Sequence, residues 1–284
     1  MHMRATVAAV SGALALSALV VPAAHAADAP SGKQAFSSAS ADAGTGTTAS
    51  TLDVTFSGVK VNSGKNIVVG TTNVVSVPVT YTVTHAADLD TGSDNFATGP
   101  LIYHGSSVDN ADNLFISDDP ATCTAASSTV LDCKGVISIH PADGDLFNSD
   151  AGTWGAGALA VTSDDQEKTQ GGLGTTKVQR YSKLTVNAGP EPVTKGRTIT
   201  STGKLSRANW EDNAYHGYTG QPVKLQFRKA GSSTYTTVKT VTSDKYGNVK
   251  ATATAQYDGY WRFSFAGTTT TPSVNATGDY VDVK

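Results

Sequence analysis

The sequence predicts an all-β fold, two β-sandwiches in tandem after a leader and a linker, and three observations predict it. Helix formers are scarce: Glu occurs only at Glu167, Glu191 and Glu211 and Met only at Met1 and Met3, while Gly, Thr, Ser, Val and Ala dominate. Thr and Val favour a pleated, half-buried backbone. Apolar and polar residues alternate in several runs, and glycine-bearing turn signals separate those runs.

The first residues concern compartment. Arg4 gives a small basic start, Ala5 to Val21 is an apolar run, Pro22 breaks it, and Ala24-His25-Ala26 has the small-x-small pattern that a signal peptidase needs. Residues 1–26 therefore read as a secretory signal peptide. The run is short for a membrane anchor and no stop-transfer flank follows it. Residues 27–50 hold Ala, Ser, Gly and Thr with almost no large apolar groups. Such a stretch buries too little surface to offset its chain entropy, so it reads as a disordered linker. No later apolar run is long enough to span a bilayer. No Cys follows the leader to form a lipobox, and Asp279 to Lys284 is strand-like, with neither a hydrophobic tail nor a wall-sorting motif. The expectation is secretion, free or with non-covalent retention in the envelope.

Strand periodicity begins at Leu52, Val54 and Phe56 and is longest at Val75, Val77, Val79, Tyr81 and Val83. Pro78 lies on the polar positions of that run, which predicts an edge strand or a bulge. Further short strands are expected near Leu101–Tyr103, Thr129–Leu131, Val136–Ile139, Ala158–Val161 and Lys177–Val186. Gly189-Pro190-Glu191-Pro192 is the clearest boundary, because its prolines stop either sheet from running through. It divides a first domain, 51–188, from a second, 189–284. In the second, Val223, Leu225 and Phe227 alternate with Lys224, Gln226 and Arg228, and Trp261, Phe263 and Phe265 alternate with Arg262 and Ser264. Val249, Ala251, Ala253 and Ala255 form a third such run, and turns fall at Ala230-Gly231, Tyr246-Gly247-Asn248 and Asp258-Gly259.

Cys123 and Cys133 are the only cysteines. An even pair at short spacing in an exported chain reads as a disulfide. Closing that loop stabilises the fold by roughly 3 kcal/mol on the chain-entropy picture. A metal site needs more ligands, and a redox pair usually has the C-x-x-C spacing.

Gly203-Lys204-Leu205, Asn209-Trp210-Glu211, Pro222 to Phe227, Asp258-Gly259-Tyr260-Trp261-Arg262 and Tyr280-Val281-Asp282-Val283 together resemble the Ig-like modules of exported bacterial proteins. The resemblance covers roughly the last third of the chain, and the first domain shares only its general pattern. It implies an Ig-like β-sandwich and leaves function open, since such modules serve as spacers, adhesins and binding domains alike.

Charge is unevenly shared. Residues 51–188 carry 14 Asp and 1 Glu against 7 Lys or Arg, a net of −8, whereas residues 189–284 carry 7 acidic and 12 basic residues, a net of +5. The halves attract weakly, and the basic half suits anionic envelope polymers. Its basic residues are spread singly along strands, which argues against nucleic acid.

Catalytic patterns are missing from the sequence. There is no G-x-S-x-G elbow and no H-E-x-x-H helix, and His85, His104, His140 and His216 share no ligand spacing. Gly155-Ala156-Gly157-Ala158-Leu159-Ala160 fits a dinucleotide fingerprint on paper but lacks the βαβ unit that the fingerprint requires. Two loops deserve tests as sites. Asp88-Leu89-Asp90-Thr91-Gly92-Ser93-Asp94-Asn95 places Asp88, Asp90 and Asp94 where their oxygens could converge on calcium, although ordinary turns use the same residues. Around Trp210, Tyr215 and Tyr218, aromatic faces are interleaved with Asn209, Asp212, Asn213 and His216, as in sugar-binding sites. Trp210 and Trp261 are expected in the core, Tyr215 and Tyr218 nearer the surface.

These readings favour a secreted, non-enzymatic, envelope-associated binding or structural protein with no required cofactor. The alternative is a calcium-stabilised adhesive protein that binds cell-wall or extracellular polysaccharide through its loops.

Overall fold

The computed structural model describes Phe36, Ser37 and residues 50–284. The expected signal peptide lies outside the described residues, as does the 27–50 linker apart from Phe36, Ser37 and Ser50. No helix among the described residues is long and apolar enough to cross a membrane.

The chain is nearly all β, as its composition predicts. Among the described residues eleven strands make the first part: β1 (Ser50–Thr51), β2 (Val54–Val61), β3 (Ile67–Val69), β4 (Val75–His85), β5 (Phe96–Gly105), β6 (Ala111–Ile116), β7 (Thr122–Ser127), β8 (Val130–Ile139), β9 (Gly152–Thr162), β10 (Gln166–Gln170) and β11 (Thr175–Arg180). Ten more follow: β12 (Ser182–Leu184), β13 (Asn187–Gly189), β14 (Thr198–Asn209), β15 (Ala214–Gly217), β16 (Pro222–Lys229), β17 (Thr236–Thr242), β18 (Asn248–Thr254), β19 (Gly259–Phe265), β20 (Val274–Asn275) and β21 (Asp279–Val281).

The first eleven strands form a four-stranded sheet, β2-β4-β8-β7, packed on a seven-stranded sheet centred on β9. In the four-stranded sheet the period-two pattern works as expected. Val77, Val79, Tyr81 and Val83 of β4 and Leu131, Cys133, Ile137 and Ile139 of β8 all face the core. Pro78 lies in a central strand rather than at an edge. The β2 ladder, which carries a bulge between Ser57 and Lys60, stops at Val61 opposite Val79. Pro78 thus occupies the stretch of β4 that only β8 flanks, where a missing N–H is tolerated.

The seven-stranded sheet is buried on both faces along β5 and β9. Phe96, Ile102, Trp154, Ala156, Ala158 and Ala160 meet the four-stranded sheet, while Ala97, Leu101, Tyr103, Leu159 and Val161 form a second cluster on the outer face. Two glycines of that outer face, Gly99 and Gly155, are seats for aromatic rings. A Cβ on Gly155 would collide with Tyr103, and one on Gly99 would collide with Phe36. An aromatic ring laid over a strand glycine replaces the packing that the glycine lacks. The apparent dinucleotide fingerprint is therefore a double-faced strand in which Gly155 and Gly157 make room for neighbours.

Phe36 corrects the linker expectation at one point. It is 0 % exposed and belongs to the outer cluster with Leu101, Tyr103 and Leu159. A single aromatic in a Ser/Ala/Gly stretch gives no local periodicity, so only the seat at Gly99 reveals its role.

A buried polar link joins the two sheets. Thr98 donates its hydroxyl proton to Leu159 O (2.7 Å), which leaves Tyr81 to donate to Thr98 Oγ1 (3.1 Å). Burial pushes the Tyr81 phenol well above its ordinary value.

The second group of strands repeats the design at smaller scale. A sheet centred on β14, with β12, β13, β15 and β18, faces a sheet β17-β16-β19 extended by β20 and β21. Ile199, Leu205, Val223, Leu225, Val249, Trp261, Phe263 and Phe265 fill the space between them. The chain changes sheets at Tyr181, ahead of the Gly189–Pro192 run. Tyr181 N–H donates to Val69 O in the first sandwich (2.8 Å), and Tyr181 O accepts from Ala208 N in the second (2.8 Å). The stretch Lys177–Val186, expected as one strand, is thus shared between two sandwiches. By strand pairing residues 182–189 belong with the second, because β12 and β13 both pair with β14.

Two outcomes are expected. Phe36→Ala should lower unfolding free energy in urea by about 3–5 kcal/mol through the lost ring and the cavity left above Gly99. For Tyr81 the folded phenol titrates above its unfolded value of about 10, so above that pH the unfolded chain loses a proton that the native state keeps. Stability from this group is complete below pH 10 and falls as pH rises beyond it. The stability difference between wild type and Tyr81→Phe, measured from pH 8 to 11 (about the phenol range), should therefore shrink on the alkaline side.

Candidate functional site

Cys123 and Cys133 form the expected disulfide. They sit directly opposite each other on β7 and β8, with Cα atoms 4.1 Å apart. That is the short spacing of an antiparallel non-hydrogen-bonded pair. The bond fastens the exposed edge strand β7 to its sheet. Beside it lies a cleft of about 620 Å³, with Thr91, Ser93, Asp119, Pro120 and Leu131 among its walls.

The acidic loop leads from β4 towards β5. Asp88, Asp90 and Asp94 are all exposed. Asp90 Oδ1 accepts from Gly92 N (2.9 Å), Asp90 O accepts from Asn95 Nδ2 (2.8 Å), and Asn95 N donates to Gly92 O (2.9 Å). These bonds form a turn that uses Asp90 to hold its own backbone. Among the described residues, no group of three or more His, Cys, Asp or Glu side chains is arranged to hold a metal ion.

The aromatic loop is placed at the junction between the sandwiches. Trp210, just past the end of β14, is 2 % exposed and packs into the core of the first sandwich, not its own. Its indole N–H donates to Gly70 O (2.9 Å), and its backbone N–H donates to Asn148 Oδ1 (3.2 Å). Tyr215 on β15 is half-buried against the same core, edge-on to Tyr181, with Lys183 Nζ 3.4 Å from its ring centre. Burial raises its phenol above the usual value. Tyr218 lies elsewhere, edge-on to Phe265 of the second core, under the Arg207 guanidinium at 4.0 Å. The three rings form no common platform. Each tyrosine presents a face to a cation of its own chain.

Around Trp210 the junction is densely hydrogen-bonded. Gln179 Nε2 donates to Thr268 O and Thr269 O (3.0 and 3.1 Å), and Arg180 N donates to Thr270 O (3.0 Å). Asn148 N donates to Glu211 Oε1 (3.0 Å), and Asn148 Nδ2 donates to Asn209 Oδ1. The buried Arg180 sends Nε–H to Ala208 O at 2.6 Å, and burial beside Arg207 pushes its pKa down to about 10. Sequence patterns did not single out Gln179, Arg180 or Asn148, because each acts on a partner distant in the chain.

Among the described residues each histidine has a polar partner, and the centre of the His104 ring also lies 5.5 Å from that of Trp154. His104 meets Asp112 (2.7 Å), His216 meets Asp212 (2.6 Å), His140 meets Asp143 (3.6 Å), and His85 Nδ1 meets the carbonyl of Ala86 (2.8 Å). The first three are side-chain pairs near the surface.

Aromatic and cationic side chains do converge at a place the sequence did not single out. On the outer face of β16 and β19, Gln226 stands opposite Arg262 and Arg228 opposite Tyr260, and Tyr260 pairs onward with Tyr280 of β21. Arg228 Cζ lies 4.1 Å from the Tyr260 ring centre and 5.3 Å from that of Tyr235. Arg262 Cζ lies 3.7 Å from Tyr235, and the Tyr260 and Tyr280 rings meet edge-on at 5.1 Å. The alternation that marked this strand pair carries the signal: outward positions of a sandwich strand are ordinarily Thr, Ser or Lys, and here they hold Arg and Tyr.

No protein-family model matches the sequence. None of the curated proteins matches it either. Among solved structures the chain is similar to dimeric latent PorU from Porphyromonas gingivalis, at 10% identity and a TM-score of 0.26, covering 81% of this chain and 20% of that one. It is similar to the D00-D0 domain of Intimin at 13% identity and a TM-score of 0.27, covering 78% of this chain and 98% of that one. It is also similar to the Yersinia pseudotuberculosis adhesin InvE at 13% identity and a TM-score of 0.26, covering 80% of this chain and 58% of that one. The chain thus spans about a fifth of PorU and little more than half of InvE, and likenesses this slight carry no functional argument.

Because Asp90 is committed to its turn, melting curves recorded with excess calcium and with excess chelator should superimpose. A calcium-induced rise of several degrees that Asp88→Asn and Asp94→Asn abolish would show that the loop binds the ion.

Proposed function

We propose that the protein is a secreted, non-enzymatic module of the cell envelope, whose two sandwiches act as one rigid body that holds a binding surface at a fixed distance and angle. The observation that carries this reading is the shared core at Trp210. A module whose halves needed to hinge would keep their cores separate and their junction wet, as interdomain contacts usually are. Here the indole of one sandwich fills the other, and Tyr181 divides its backbone hydrogen bonds between them. The disulfide supports an oxidising compartment. The histidine–aspartate pairs sit on different elements, His104 and Asp112 on β5 and β6, His216 on β15 and His140 after β8.

The adhesive alternative receives support from a different place than its loops. Tyr215 and Tyr218 are engaged within the chain, whereas the Arg and Tyr side chains on β16 and β19 face outward.

Wild-type protein should unfold in one transition, coincident by far-ultraviolet circular dichroism and tryptophan fluorescence. Trp210→Ala should cost about 3–5 kcal/mol and split that transition in two, since each sandwich then unfolds on its own. Two independent transitions in the wild type would overturn the rigid-body reading. In the native host the protein should be recovered from culture medium or salt-washed envelope, and cytosolic retention would overturn the assignment of compartment.

A further inference from the structure

The outer face of β16 and β19 is built in a way that solvated surface does not require. Arg228 and Arg262 are half-buried, each held in place by one hydrogen bond: Arg228 Nη1 to Ser232 O (2.6 Å), and Arg262 Nε to Gln226 Oε1 (2.9 Å). Each guanidinium lies against Tyr235, and Arg228 also against Tyr260. Gly278 admits the Tyr235 hydroxyl, which a Cβ there would strike. The array is thus pre-formed, and ordering it costs a ligand little entropy.

No ion pair seen among the described residues includes Arg228 or Arg262. The ion pairs seen join His104, His140, His216 and Lys284 to aspartates. Asp258 and Asp282 flank the Tyr280 end, but Asp258 Oδ1 accepts from Val283 N (2.7 Å) and Asp282 pairs with Lys284 (3.1 Å). A guanidinium carries five N–H donors, so most of those on Arg228 and Arg262 remain open to a ligand. Lys224 extends the positive strip along β16, and Lys229 and Lys195 bracket the Tyr257 ring at 4.4 and 5.8 Å. Tyr280, 40% exposed, meets the Tyr260 ring edge-on and extends the aromatic row.

We propose that this face is a binding site for an acidic, carbohydrate-based polymer, in which Arg228 and Arg262 take the anionic groups and Tyr280 and Tyr260 pack against the sugar or polyol backbone. Two features point to this occupant. Planar guanidiniums fixed on aromatic rings match carboxylate or phosphate oxygens in pairs. A strip along paired strands suits a linear chain with repeating charges better than one small anion. Residues 51–188, which hold the whole first sandwich, carry a net charge of −8, which repels such a polymer and leaves the second sandwich as the contacting half. The proposal rests on reading the chain as a binding module, and it gives that module its ligand class.

The test uses the mature protein at low salt with four immobilised polymers: polygalacturonate, polyglycerol phosphate, neutral dextran and single-stranded DNA. Binding to one or both anionic polymers is expected, weakening as salt rises, with none to dextran. Which of the two is held tells a carboxylate source from a phosphate source. Arg228→Gln with Arg262→Gln should weaken binding by at least about ten-fold. Lys204→Gln with Lys250→Gln, which removes the same charge from the opposite sheet, should bind as the wild type does. Melting temperatures show that each variant is folded. No binding to either anionic polymer, equal losses in the two double variants, or single-stranded DNA held as tightly as the glycan would overturn the site. In each of those outcomes the coincidence of unfolding transitions still tests the rigid-body reading separately.

Discussion

Trp210 belongs by chain position to the second sandwich and by packing to the first, and the arrangement of the halves follows from that indole. Burying a tryptophan removes a large apolar area from water, and its N–H demands a partner, which Gly70 O provides at 2.9 Å. Both needs fix direction as well as distance. Once they are met, Asn148, Arg180 and Gln179 fall within hydrogen-bonding range of their partners. The cost of Arg180's charge away from water is partly offset by its bond to Ala208 O, and that carbonyl would otherwise be buried without a donor.

Strand patterns facing one core and one solvent were legible in the sequence. Val75–Val83, Val223–Phe227 and Trp261–Phe265 alternate as written because each has a wet side. β5 and β9 were only partly legible, since strands covered on both faces lose alternation, and their glycines look like turns until the rings above them are seen. Phe36 is an extreme case: its neighbours in sequence say nothing, and its neighbours in space say everything. The disulfide was legible from two residues. The sheet change at Tyr181 was not, because prolines mark where a ladder cannot continue and not where a chain leaves one sheet for another.

Sites were harder to read than strands. Asp88, Asp90 and Asp94 have the composition of an ion loop, but one-dimensional spacing cannot distinguish oxygens that converge from oxygens that close a turn. The aromatics around Trp210 have the composition of a sugar site, and the partners they face are their own chain's core and cations. The Arg and Tyr side chains of β16 and β19 escaped notice because only strand register brings Arg228, Tyr260 and Tyr280 into one row. Charge counted by halves did anticipate which sandwich carries them.

The position of the Cys123–Cys133 bond has a consequence beyond loop closure. β7 has a neighbour on one side only, and its other side offers backbone donors and acceptors to any passing chain. A strand so placed ordinarily guards itself with charge, yet Thr122 to Ser127 holds none. Covalent attachment to β8, together with the irregular step between Ala125 and Ser127, prevents it from sliding or peeling away to template intermolecular pairing. Oxidation thereby holds the open edge of β7 in one register, with its unpaired donors and acceptors in a fixed, bulged line.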